Sequence, residues 1–102
     1  MEFITVPTLQ ARLDAGDRLT LIDIREAYEH EDGSITGVNI PLADLPAHID
    51  QVRQFAEAGD IVVYCRSGSR SQMAQKMLVV HYRLPNVYHL EGGYEAWEGR
   101  QE

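Results

Sequence analysis

The chain has a single cysteine, Cys65, and the residues after it are the main pointer to chemistry. Cys65-Arg66-Ser67-Gly68-Ser69-Arg70 follows the apolar run Ile61-Val62-Val63-Tyr64 and leads into a stretch with helical spacing. A cysteine placed there ends a strand and opens a loop. Small residues let the backbone curl, and Gly68 is free to take a positive φ. Ser69 and Gln72 form a Ser-x-x-Gln pair, the pattern of a capping box at a helix start. Successive backbone N–H groups, with the N-terminal end of the helix, then point at the centre of the loop. Arg66 and Arg70 add fixed positive charge. Such a cradle favours the thiolate, the form that attacks. The plain alternative is a buried, inert cysteine packed as a small hydrophobe. The polar Arg-Ser-Gly-Ser-Arg continuation weighs against it, because charged and hydroxylic residues are rarely buried in a core.

The elements needed to position this loop are legible. Leu19 to Asp23, Ile61 to Tyr64 and Val87 to Leu90 read as strands, and Ile4 to Val6 and Val38 to Ile40 as shorter ones. Ile61 to Tyr64 is apolar throughout, the pattern of a strand buried on both faces. Between them lie helical patterns. Pro7 to Asp14 begins with proline at the first helical position, pairs Leu9 with Leu13, and is followed by Gly16. Leu45 to Phe55 puts Ile49, Val52 and Phe55 on one face. Ser71 to Tyr82 puts Met73, Ala74, Met77, Leu78 and His81 on one stripe. Tyr94 to about Arg100 is a short last helix. This alternation predicts an α/β fold with a mostly parallel sheet covered on both faces. Ligands of such sheets bind beyond the carboxyl ends of the strands, which is where Cys65 falls. Asp23-Ile24-Arg25 closes another strand, so Arg25 reaches the same rim, with Asp23 placed to orient an arginine. Leu90-Glu91-Gly92-Gly93 allows a tight strand-to-helix turn.

With 102 residues the chain has room for one domain, spanning 1–102. A net charge of −7 repels nucleic acid and anionic membranes, so neither is an expected partner. No apolar run approaches the roughly 20 residues of a membrane span, and no secretory leader is evident. A lone cysteine makes no internal disulfide, so a cytoplasmic setting is expected. His30, His48, His81 and His89 lack the spacing of metal ligands and read as surface or packing residues, so no metal or organic cofactor is expected. Met73 and Met77 read as core filler, and Tyr94 and Trp97 as residues packing the last helix.

Several motifs together resemble the rhodanese domain, in order and spacing over nearly the whole chain. They are Asp23-Ile24-Arg25-Glu26, Gly33-x-Ile35-x-Gly37 running into Asn39-Ile40-Pro41-Leu42, Val62 to Ser71 around the cysteine, and Leu90-Glu91-Gly92-Gly93-Tyr94-Glu95-Ala96-Trp97. The resemblance implies a rhodanese fold, a five-stranded mostly parallel sheet with helices on both faces. It implies a sulfurtransferase in which Cys65 cycles between thiol and persulfide. Sulfane sulfur would come from a donor such as thiosulfate and leave to cyanide, a cellular thiol or a partner protein. Arg25, Arg66, Ser67, Gly68, Ser69 and Arg70 would bind the substrate, the arginines forming a positive funnel. The chain departs from the family pattern at Ala27, His30, Ser34 and Thr36, all between the second and third strands and, on this reading, away from the cysteine loop. Two rivals remain. A phosphatase on the same fold needs five residues between Cys and Arg, whereas four separate Cys65 from Arg70. A non-enzymatic interaction module on the same fold would not need the cysteine and its loop, although such a module could still use Cys65 to receive sulfur from a partner protein as a relay.

Overall fold

The computed structural model describes residues 1–35 and 37–100. Five strands, β1 (Phe3–Ile4), β2 (Leu19–Asp23), β3 (Val38–Asn39), β4 (Asp60–Tyr64) and β5 (Val87–Leu90), form one sheet in the order β1-β5-β4-β2-β3. Every pairing is parallel, so the sheet is wholly rather than mostly parallel. Five α-helices connect the strands: α1 (Val6–Asp14), α2 (Ala27–Asp32), α3 (Ile49–Ala58), α4 (Ser69–Lys76) and α5 (Gly93–Glu98).

β4 lies at the centre, and its sequence explains why. Ile61 and Val63 point to one face, Val62 and Tyr64 to the other, and all four are at most 1% exposed. The first pair joins a core with Ile22, Leu45, Val52, Ala74 and Leu78, beneath α3 and α4. The second joins Ile4, Leu9, Leu21, Ile35 and Leu90, with Tyr94, Ala96 and Trp97 of α5 packed on it. A strand covered on both sides has no room for polar alternation, and β4 shows none.

Local chemistry moved several expected boundaries. Val6 belongs to α1 rather than β1, because Thr5 caps the helix by accepting the Thr8 N–H at 3.3 Å. Pro7 is therefore the second helical residue. The segment Leu42–His48 is a tight 3-10 turn holding Pro46, and α3 starts only at Ile49. Proline cannot donate the N–H an α-helix needs there. Helix α4 starts at Ser69, is capped by Gly68 at φ 121°, and makes no side-chain cap bond, so the expected Ser69–Gln72 box is absent. It widens at Met77–His81 into a π-helical turn. Its buried stripe is Ser71, Ala74, Gln75 and Leu78, with helical spacing but out of phase with the apolar reading. Met73 (56% exposed) and His81 therefore face outward, not into the core. Ser71 and Gln75 tolerate burial because both are bonded: Ser71 Oγ donates to the Gly68 carbonyl at 3.0 Å and Gln75 Nε2 to the Val87 carbonyl at 3.0 Å.

Candidate active site

Cys65 ends β4 at the carboxyl edge of the sheet, and the chain loops over its sulfur. The Gly68 N–H points at Sγ from 3.1 Å and the Ser71 N–H from 3.3 Å. Ser71 Oγ is 3.6 Å away. Gly68 makes the curl possible, since side chains rarely adopt its φ. The two amides that reach Sγ are those of Gly68 and Ser71, so the cradle extends one residue past Arg70. Ser71 was the residue missed; the loop's return onto its own cysteine six positions on is a tertiary fact. Cys65 itself is 1% exposed and lies on the floor of the loop, beside exposed Arg66 and Ser67.

The loop is pinned from the other side by α5. The Tyr94 N–H donates to the Cys65 carbonyl at 2.8 Å and the Glu95 N–H to the Arg66 carbonyl at 3.0 Å. This approach demands glycine at position 93. A Cβ there would lie 2.5 Å from the Arg66 carbonyl oxygen and 2.6 Å from that of Cys65, and φ is +62°. The double glycine thus fixes the cysteine loop as well as turning the chain.

The arginines sit differently from a positive funnel. Arg25 is buried and closes on Asp23: Nε donates to Oδ1 at 3.0 Å and NH2 to Oδ2 at 2.7 Å. Its NH2 also reaches the Gly33 carbonyl at 2.7 Å, and its guanidinium lies 4.5 Å from the centre of the Tyr94 ring. His30 Nδ1 is 2.9 Å from Asp23 Oδ2. Burial alone would raise the Asp23 pKa, but the bonds from Arg25 and His30 outweigh it and hold the carboxyl below its ordinary value. Arg70 is taken up by Glu29, NH1 donating to Oε1 at 2.8 Å and NH2 to Oε2 at 3.0 Å. Those bonds hold the Glu29 carboxyl at about 2. Arg66 is exposed, with Nε 3.7 Å from the same carboxylate.

Glu29 was invisible to sequence reasoning. It looked like one more acidic residue of α2, yet it caps α2 by accepting the Glu26 N–H at 3.1 Å and clamps Arg70 of α4. The segment between β2 and β3 is therefore not remote from the cysteine loop. His30, one of its departures from the family pattern, supports the Asp23–Arg25 pair. Thr36, another, lies outside the described residues. Ser67 and Ser69 are exposed on the loop.

Among the described residues no helix is long and apolar enough to cross a membrane. The Rhodanese-like domain profile matches residues 5–100. YtwF of Bacillus subtilis is 36% identical over 98 residues, covering 94% of this chain and 89% of its own. Thiosulfate sulfurtransferase GlpE of Pseudomonas fluorescens is 31% identical over 102 residues, covering 94% of this chain and 85% of its own. Some other matching relatives are longer proteins, of which the chain spans about half or less. Among solved structures, RPA3614 of Rhodopseudomonas palustris, a protein of unknown function described as a possible tyrosine phosphatase, superposes with a TM-score of 0.85 at 30% identity, covering 97% of this chain and 80% of its own. With a parallel five-stranded sheet, a cysteine loop after its central strand and a profile match over nearly its full length, the chain belongs to the rhodanese-like domain family.

Proposed function

We propose that this protein is a sulfurtransferase that carries sulfane sulfur on Cys65 as a persulfide. The observation that supports it most is the pair of backbone N–H groups, Gly68 and Ser71, converging on Sγ. Amide dipoles placed this way stabilise anionic sulfur as an oxyanion hole stabilises oxygen. With thiosulfate, the Cys65 thiolate attacks the outer sulfur, the S–S bond of the donor breaks, and sulfite leaves with the electron pair. The products are Cys65–S–S⁻ and sulfite, so charge and atoms balance. Cyanide or a thiol, free or on a partner protein, then takes the outer sulfur and returns the Cys65 thiolate. Arg66, exposed beside the loop, is the arginine best placed to meet a donor's sulfonate. Ser67, Gly68 and Ser69, the loop residues between the two arginines, would complete the donor's site. Arg25 and Arg70 act through the carboxylates that hold them. The lone cysteine favours the reducing cytoplasm as the setting.

The loop also argues against phosphatase chemistry. It has one residue fewer between cysteine and arginine than that reaction uses, and its terminal Arg70 is paired with Glu29. The test is thiocyanate formation from thiosulfate and cyanide. The wild type should turn over and Cys65→Ser should not, while both stay folded. Hydrolysis of an aryl phosphate that depends on Cys65, without thiocyanate formation, would overturn the reading.

A further inference from the structure

The three arginines gathered at Cys65 do not leave the site positive. Arg25 is matched by Asp23 and Arg70 by Glu29, each through two or more hydrogen bonds. Beside the loop, α2 and α5 enclose a cleft of about 140 Å³. Arg25, Glu29 and Arg66 line it, together with Asp32, Glu95 and Glu98. The last three are exposed and have no ion pair among the described residues. After the two pairs cancel, three carboxylates face one guanidinium, that of Arg66. Arg66 in turn leans towards Glu29, 3.7 Å away.

Resting on the sulfurtransferase reading, we propose that Glu29 sets the charge selectivity of the Cys65 site: by taking up Arg70 it leaves the adjoining cleft with excess negative charge, so the thiol that receives the sulfur is one carried with positive charge. A single charged sulfur needs only the loop amides, which carry no net charge. An acceptor thiol bearing further negative charge meets Asp32, Glu95 and Glu98 with only Arg66, and no free Arg70, to answer them. A cationic thiol meets complementary charge, which raises encounter rates and suppresses wrong partners. The transfer is balanced: the thiol R–SH passes its sulfur's electron pair to the outer sulfur, and the S–S bond to Cys65 breaks. R–S–SH and the Cys65 thiolate result, and the thiol's proton ends on the transferred sulfur.

The experiment separates this inference from the reading beneath it. Cys65 is loaded with inorganic polysulfide, desalted and weighed; a protein that takes up no sulfur contradicts the persulfide reading, not the selectivity. The loaded protein then meets cysteamine, 2-mercaptoethanol or 2-mercaptoethanesulfonate, and rates are compared per thiolate. At low ionic strength cysteamine should exceed the sulfonate by roughly tenfold, with the neutral thiol between them. The ratio should fall towards one at about 1 M salt, where the screening length is about 3 Å. Glu29→Gln should narrow the low-salt ratio by about threefold or more, because Arg70 regains an unmatched charge. Equal rates or a preference for the sulfonate in the wild type would overturn the proposal, as would an unchanged ratio in folded Glu29→Gln. Should that variant fail to fold, the exposed pair Asp32→Asn with Glu98→Gln replaces it. A narrowed ratio in the pair supports the acidic cleft, and an unchanged ratio rejects it.

Discussion

Two shells surround Cys65, and they are made of different material. The inner shell is backbone. Gly68 and Ser71 turn their amides onto Sγ, and the amides of Tyr94 and Glu95 hold the Cys65 and Arg66 carbonyls. The outer shell is charged side chains closed on one another, Arg25 with Asp23 and His30, and Arg70 with Glu29. Dipoles accept a sulfur whose charge is carried in and out without themselves gaining or losing net charge. Ion pairs fix the elements bearing them, β2 to α2 and α2 to α4. On the proposed reading the inner shell supplies the chemistry, and the outer one the shape and the choice of partner.

The largest expected effect lies in the outer shell. Arg25→Ala leaves Asp23 buried and charged without its main partner, and should cost about 3–5 kcal/mol of stability. That is a large share of what holds a small domain together. Urea unfolding measures it. Removing Asp23 in the same chain should recover part of the loss, because the two residues act as one unit. A loss under about 1 kcal/mol would mean that the outer shell is not structural.

Acid should open the same shell more gently. Asp23 and Glu29 both titrate below their ordinary values in the folded protein, so each adds stability that is complete above the unfolded pKa. For Glu29 this stability is lost as pH falls from about 4.5 to about 2. With Arg70 partly exposed, its share is roughly 1–2 kcal/mol. Unfolding measured across this range should show the decline, and Glu29→Gln should flatten it. A profile identical in the two proteins would separate Glu29 from Arg70.

The smallest effect belongs to the inner shell. Ser71→Ala keeps the backbone donor and removes the hydroxyl 3.6 Å from Sγ. It should lower stability by about 0.5–1.5 kcal/mol and slow sulfur uptake only a few-fold. Loss of all uptake would move the main role from the amide to the hydroxyl.

How much of this was legible in the sequence follows the same division. The strand, glycine and cysteine of the inner shell are local signals, and they located the sulfur, the loop and the carboxyl edge of the sheet. Apolar runs at β2, β4 and β5 likewise placed the centre of the sheet. The outer shell was not legible, because pairing depends on which elements become neighbours. Glu29 and Arg70 are 41 residues apart and meet only once β2 and β4 lie side by side. The phase of α4 was misread for a related reason. Hydrophobicity alone chose Met73, whereas hydrogen bonding allowed Ser71 and Gln75 inside.

The central claim is that Cys65, held by its loop amides, receives the sulfur. Intact mass after exposure to thiosulfate, followed by peptide mapping, tests it most directly. The account predicts a gain of one sulfur atom, located on Cys65, removed by cyanide as thiocyanate and absent from Cys65→Ser. A wild-type mass left unchanged by thiosulfate and by other sulfane donors would contradict it and favour an interaction module on the same fold.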